Sequence, residues 1–391
     1  MTQRKLIGIL ASGIAVFTLL SCKPDDKEIR VGGVFDLTGP TSETGNFYAQ
    51  GVKEYIGLVN RRGGINGRKI ILFSHDTAYV KSRDMAAYDT LINKNRVHLI
   101  IGWGTGSTED LVHKISTDQV PYTGVSYSEK LGNPAYAPYN FLTSASYSDQ
   151  IRTVLAYIKK NWKNPQPPRV ALIRNETEFG ESPIADGIAY AKKIGIDITG
   201  IEIVNLDAQE AFEQLKRIKK DEADFAIIQQ TAWATSVIIK NAKKMGMKTR
   251  FIGLCWSGDD RLIALAGAAA EGFIGMFPVV HDDIGTAAKK TAGGLHPSEV
   301  QSEDGTNVRF LKGWVAAMIM FEGVRRAGDD LSGPSIKRAL ESMRGFDTGG
   351  FTFPVTYTPE SHKGIPKMKM GAVRGGSWKM ITDFVSAEDF E

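Results

Sequence analysis

The stretch Ile100-Ile-Gly-Trp-Gly-Thr-Gly-Ser-Thr-Glu-Asp-Leu111 runs from an apolar segment through three alternate glycines into an acidic one. Val97 to Ile101 is apolar and partly β-branched, which predicts a buried strand. Gly102, Gly104 and Gly106 then interrupt it, and Ser107 or Thr108 can cap a helix beginning at Glu109 and Asp110. Such a turn aims backbone N–H groups outward at the positive end of a helix dipole. It suits a small anion, a carboxylate or a phosphate.

The same glycines test a dinucleotide reading. The fingerprint G-x-G-x-x-G needs its third glycine where Ser107 stands, and it follows the first strand of its unit with an acid roughly 20 residues on. Here at least two strands precede the turn, and Val120 to Val125 offers no such acid. Carboxylate capture is the better account.

Working outward, the chain opens as a targeting segment. Arg4 and Lys5 precede the apolar stretch Leu6 to Leu20, and Leu19-Leu-Ser-Cys22 closes it, with a charged tether at 22–28. This end resembles the lipobox of bacterial lipoproteins, in which the leader (here 1–21) is removed and Cys22 is acylated. Loss of Arg4 and Lys5 lowers the formal charge of +4 by two, too little to argue for nucleic acid. The other cysteine is Cys255, so an acylated Cys22 leaves no disulfide framework. About 370 residues remain, more than one core of about 250–300 holds, so two lobes are expected. No later run is apolar and long enough to span a bilayer.

Strands are predicted at Ile29–Phe35, Ile70–Ser74 and Val97–Ile101, with helices at Gly45–Asn60 and near Arg83–Lys94 between them. The second half repeats the alternation. Its strands are Arg169–Arg174, Ile198–Val204 and Asp224–Gln229; its helices are Pro183–Lys193, Ala211–Lys220 and Thr235–Met245. This is a parallel α/β architecture. Near the end, Trp314, Met318 and Met320 lie at helical spacing and read as core packing.

Phe35-x-Leu-Thr-Gly-Pro40, Gly45, Gly51, Arg62-Gly-Gly-Ile-Asn-Gly-Arg-Lys-Ile70 and Asp76 together resemble the opening of type I periplasmic binding proteins. The branch is that of the leucine/isoleucine/valine-binding proteins of ABC importers. Val120-Pro-Tyr122, Glu178-Phe-Gly-Glu181, Phe251-Ile-Gly253, Ala269-Ala-Glu-Gly272 and Val355-Thr-Tyr-Thr-Pro-Glu-Ser-His-Lys-Gly364 extend the resemblance along the chain. It implies two doubly wound parallel-sheet lobes joined by a three-strand hinge, with ligand in the cleft between them. Residues 29–146 and 278–349 would form lobe 1; residues 147–277 and 350–391 would form lobe 2. The crossings would lie near Ser144–Ser148, Gly275–Val279 and a third strand within Gly345–Thr358. The implied partners are an amino acid or small carboxylate and the subunits of an ABC permease, with the protein a monomer held to the membrane by its lipid alone.

Ligand contacts then belong to loops at the carboxyl ends of the strands. By position, Thr105, Gly106, Ser107, Ser126 and Ser128 match the family's residues for the ligand carboxylate and amine. Thr44 and Phe179 stand where the family often has tyrosines, and Tyr147 lies at the hinge. The family's ammonium-pairing glutamate falls at Cys255 or Trp256 here. Asp259 or Asp260 replaces it or caps a helix. Gln230 and Trp233 take the place of a tyrosine-rich turn. Trp103, Tyr127, Trp233 and Trp256 all fall on cleft loops and favour a flat or bulky apolar ligand.

A sensory receptor component of the same fold would carry the same cleft. Catalysis has no signal: His75, His98, His113, His281, His296 and His362 lack metal-ligand spacing, and no nucleophile elbow, zinc motif or P-loop occurs. No cofactor is expected.

Overall fold

The computed structural model describes residues 28–280 and 307–391. The leader, Cys22, His281 and His296 lie outside them. Apolar runs become central strands. β1 (Glu28–Phe35), β2 (Lys69–Asp76), β3 (Leu99–Gly102) and β4 (Tyr122–Gly124) form a parallel sheet in the order β2-β1-β3-β4. β3 and β4 are buried at every residue, as strands covered on both faces must be.

The second sheet holds β5 (Arg169–Arg174), β6 (Asp197–Ile203), β7 (Phe225–Gln229), β8 (Arg250–Gly253) and β9 (Ile274–Phe277), with β10 (Lys369–Arg374) and β11 (Ser377–Met380). Its order is β11-β10-β9-β8-β7-β5-β6. β5 to β9 pair in parallel, whereas β10 runs antiparallel to both β9 and β11. The parallel core of the second lobe thus carries an antiparallel hairpin at one edge. The hairpin turns at Gly375 and Gly376, whose φ values of 60° and 74° suit a tight reversal.

Helix α1 (Ser42–Arg61) follows β1, α2 (Lys81–Thr90) follows β2, and α3 (Thr105–Asp118) follows β3. α4 (Tyr147–Asn161) enters the second lobe, where α5 (Glu178–Glu181), α6 (Ile184–Ile194), α7 (Phe212–Lys220), α8 (Ala232–Lys244) and α9 (Asp260–Ala266) link the strands. α10 (Val308–Ala327) returns to pack on α1, and α11 (Gly333–Glu341) packs on α10. Trp314, Met318 and Met320 are buried in α10, as their spacing predicts.

The expected third strand within Gly345–Thr358 is not formed. Only Phe346 and Val355 pair there, antiparallel, because Gly349 and Gly350 both take φ 80° and fold the chain back. The segment stays with the first lobe: the Val280 N–H donates to the Phe351 carbonyl, and the Tyr357 hydroxyl donates to the Leu142 carbonyl at 2.8 Å. Lys363 still pairs with Leu142, so the chain crosses to β10 only beyond it, later than residue 350.

Candidate functional site

In each sheet the first strand sits between its sequence neighbours, so the chain winds away from it in both directions. The gaps beside β1 and β3, and beside β5 and β7, are topological switch points, where loops at the carboxyl ends of strands splay apart. The two gaps face each other across one largely apolar cavity. Thr41 and Thr44 come from the loop after β1 and the start of α1, and Trp103, Gly104 and Thr105 from the turn after β3. Thr177 and Phe179 follow β5, Leu206 follows β6, Thr231 follows β7 and Trp256 follows β8. Tyr79, Val125 and Tyr147 complete the lining.

Aromatic side chains build the walls. Trp103 and Trp256 meet from opposite lobes with centroids 6.4 Å apart. Trp256 stacks on Tyr127 at 5.8 Å and 4°, and its indole N–H donates to the Tyr147 hydroxyl at 2.9 Å. Tyr147 meets Phe179 edge-on at 5.4 Å. Such rings bury large apolar area while their polar tips stay bonded, so the box is rigid. Buried Asp36 fixes the other wall: it accepts from the Thr41 hydroxyl at 2.6 Å, and Thr41 accepts from the Trp103 indole N–H at 2.9 Å.

The glycine turn differs from expectation. α3 starts at Thr105 rather than Glu109, because Gly104, with φ 78°, turns the strand straight into the helix. Ser107 and Thr108 are thus inside the first turn, not caps. The Ser107 hydroxyl donates to Asp84, and the Thr108 hydroxyl donates to the Gly104 carbonyl at 2.6 Å. The hydroxyl of Tyr79 lies against Gly104, beside the N–H groups of Thr105 and Gly106 in the first turn of α3. Burial pushes that phenol well above its ordinary pKa, so it stays neutral and keeps a proton to donate.

Of the residues named from sequence, Thr44, Trp103, Thr105, Tyr147, Phe179 and Trp256 line the cavity. The others stand behind it or away. Gly106 faces the Glu178 carboxylate of the other lobe: a Cβ there would lie 2.8 Å from it. Ser126 donates to the Thr105 hydroxyl at 2.9 Å, Tyr127 supports Trp256, and Ser128 donates to Glu109 at 3.1 Å. Gln230 is consumed structurally, donating to the Val204 carbonyl at 2.5 Å and accepting from Asn175 at 3.3 Å. Trp233 is 40% exposed and donates to the Ala208 carbonyl at 3.3 Å. Asp259 caps α9 through the Leu262 N–H and pairs with Arg309 at 2.6 Å, so it holds no free charge for a ligand.

Thr41, Thr177 and Thr231 lie on loops that strand order marks, though nothing in their own identity singles them out, whereas Gly104 belongs to the glycine turn that the sequence marks. Tyr79 and Leu206 lay outside those loops and had no local signal.

Among the described lining residues there is no carboxylate and no cationic side chain. Cys255, which with Trp256 is one of the two positions where the resemblance places the family's glutamate, is fully buried, and desolvation pushes its thiol up to about 11. No cluster able to hold a metal ion occurs among the described residues, and no helix there is long and apolar enough to cross a membrane.

The model of the periplasmic binding protein family matches residues 28–377. This is the family that the sequence motifs resemble. The leucine-specific-binding protein of Salmonella typhimurium is 25% identical over 287 residues, 72% of this chain and 74% of that one. A branched-chain amino acid ABC transporter structure from Thermus thermophilus, with bound valine, has a TM-score of 0.83 and 25% identity, covering 93% of this chain and 97% of that one. A fatty acid ABC transporter substrate-binding protein from Thermomonospora curvata shares the fold, with a TM-score of 0.80 at 19% identity over 94% and 95% of the two chains. These relatives are transport binding proteins, not enzymes.

Proposed function

This chain belongs to the periplasmic binding protein family, and we propose that it is the solute-capturing subunit of an ABC importer, closing two lobes on a small carboxylate with an aromatic or branched apolar end. Its place is outside the cytoplasm, and its tether is a lipid on Cys22. The observation that carries the ligand class is the lining: rings and hydroxyls from both lobes, with no carboxylate among the described lining residues to balance an α-ammonium. An unpaired buried charge is costly, so the amine of an amino acid is poorly accommodated.

The carboxylate end belongs at Tyr79 and Thr105. The Tyr79 hydroxyl, lying at the positive end of α3, is placed to donate to an anion there. The Thr105 hydroxyl, which accepts from Ser126, has its own proton left to give. The apolar end belongs among Trp103, Phe179 and Trp256.

The rival reading is a branched-chain amino acid, the ligand class named for two of the relatives. Thermal melts of ligand-stripped protein separate the two. A ligand at about 100 times its dissociation constant stabilises by about 2.7 kcal/mol, a readable shift. Benzoate-like and branched 2-oxo acids are expected to stabilise at least as much as leucine. Stabilisation by leucine, isoleucine or valine alone would establish the rival. The anchor is tested separately: Cys22→Ser should move the protein out of the membrane fraction, since stable anchoring needs its acyl chains.

A further inference from the structure

Trp256 lines the cavity, and a cation lies against its ring. Lys312 of α10 places Nζ 3.6 Å from the ring centroid and donates to the Cys255 carbonyl at 2.7 Å. The residue is 4% exposed, in a helix whose neighbouring turns present Phe310, Leu311 and Trp314 to the core. Among the described residues no carboxylate forms an ion pair with it. Asp259, near enough to be felt, is bound by Arg309 and by the α9 cap. Burial brings the lysine down to about 8, so at neutral pH it is still mostly charged. A buried ammonium is expensive, and a methionine would fill the same space without that cost.

The arrangement has a use at the cavity. A tryptophan face attracts cations, and an ammonium-bearing ligand would otherwise find that attraction here. Lys312 occupies a face of this indole and adds a positive field where the family resemblance places a glutamate. We infer that Lys312 sets the charge preference of the cavity, disfavouring ligands with an ammonium near Trp256 and admitting carboxylates whose remainder is uncharged. This rests on the proposed carboxylate ligand and assigns its selectivity to one residue. Two unit charges roughly 7 Å apart, at an effective dielectric constant of about 20, repel enough to change affinity about fiftyfold; screening leaves roughly tenfold.

Calorimetric titration of size-matched pairs isolates that charge: 3-phenyllactate against phenylalanine, and 2-hydroxy-4-methylpentanoate against leucine. In the wild-type chain each hydroxy acid should bind at least about tenfold tighter than its amino acid. Lys312→Gln, which keeps a donor for the Cys255 carbonyl, and Lys312→Met should both bring the ratio towards one, mainly by improving the amino acid. Amino acids that bind as well as hydroxy acids to the wild type would overturn both the inference and the ligand class. A wild-type preference that persists undiminished in whichever variant folds would overturn only the role of Lys312.

Discussion

Tyr79 carries more of the site than any residue the sequence singled out. Its backbone is left-handed (φ 56°), next to Ala78 at 51°, conformations that cost of order 1–3 kcal/mol for non-glycine residues and persist where surroundings enforce them. They swing the phenol over Gly104, where a Cβ would lie 2.4 Å from the Tyr79 ring, and onto the first turn of α3. Removing the hydroxyl in Tyr79→Phe takes away the donor proposed for the ligand. Affinity for a carboxylate should fall by roughly 1.5–3 kcal/mol, about tenfold or more, measured by calorimetry. Thr105→Val should behave alike, whereas Ser107→Ala should leave affinity unchanged and act only on stability through Asp84. Unaltered binding in Tyr79→Phe would remove the hydroxyl from the anchor. The contrast between Thr105 and Ser107, two residues apart on one helix, shows where residue-level reading stops. Sequence placed both on the right turn, but which hydroxyl looks into the cleft depends on where the helix starts, and Gly104 moved that start by a full turn.

At the scale of elements the sequence was more legible. Strands that must be buried on both faces appear as unbroken apolar runs, and helices between them as amphipathic ones, so most boundaries agree within a few residues. What resisted were two local reversals at paired glycines, the β10–β11 hairpin and the fold-back at Gly349–Gly350, and the antiparallel docking of β10 on β9, set by contacts far along the chain. The pairing of α1 with α10 is of the same kind. These helices meet backbone to backbone at two glycines: a Cβ on Gly51 would lie 2.1 Å from the Phe310 carbonyl oxygen, and one on Gly313 would lie 2.0 Å from that of Tyr48. Gly313→Ala must therefore push the helices apart, at about 1–3 kcal/mol or more for overpacking. Tyr48 would move with α1, and its ring packs edge-on to Trp103 at 5.6 Å, so ligand affinity should fall as well. Urea unfolding and calorimetry on the same variant read both effects. A midpoint equal to the wild type would mean that the helices separate freely.

Across the whole molecule, the proposed function needs two lobes that close on the ligand, because a ligand shifts such an equilibrium only through contacts that differ between its states. Trp103 against Trp256, and Glu178 opposite Gly106, are contacts of the closed arrangement. The crossings themselves are tied by charges. Lys363, just before the third, reaches Glu129 of the first lobe at 2.6 Å and Asp149 of α4 at 3.2 Å, and Arg152 binds Asp149 at 2.6 Å and Asp186 at 3.1 Å. Burial pushes the Asp149 carboxyl up, but Lys363, Arg152 and the Ser146 hydroxyl outweigh it and hold the group below its ordinary 3.8. A depressed carboxylate contributes stability that is fully present above the unfolded value and is lost as pH falls through the folded one. Lys363→Met removes one of the two cations, with Arg152, that pair with both Glu129 and Asp149. At pH 7 the variant should be less stable by about 1–2 kcal/mol, a range between exposed and fully buried pairs. As pH falls through the depressed value of Asp149, its carboxylate takes up a proton and the difference should shrink. Thermal melts of the two proteins from pH 7 to 3 follow that convergence. A gap that stays constant with pH would assign the loss to the packing of the lysine stem instead of its charge.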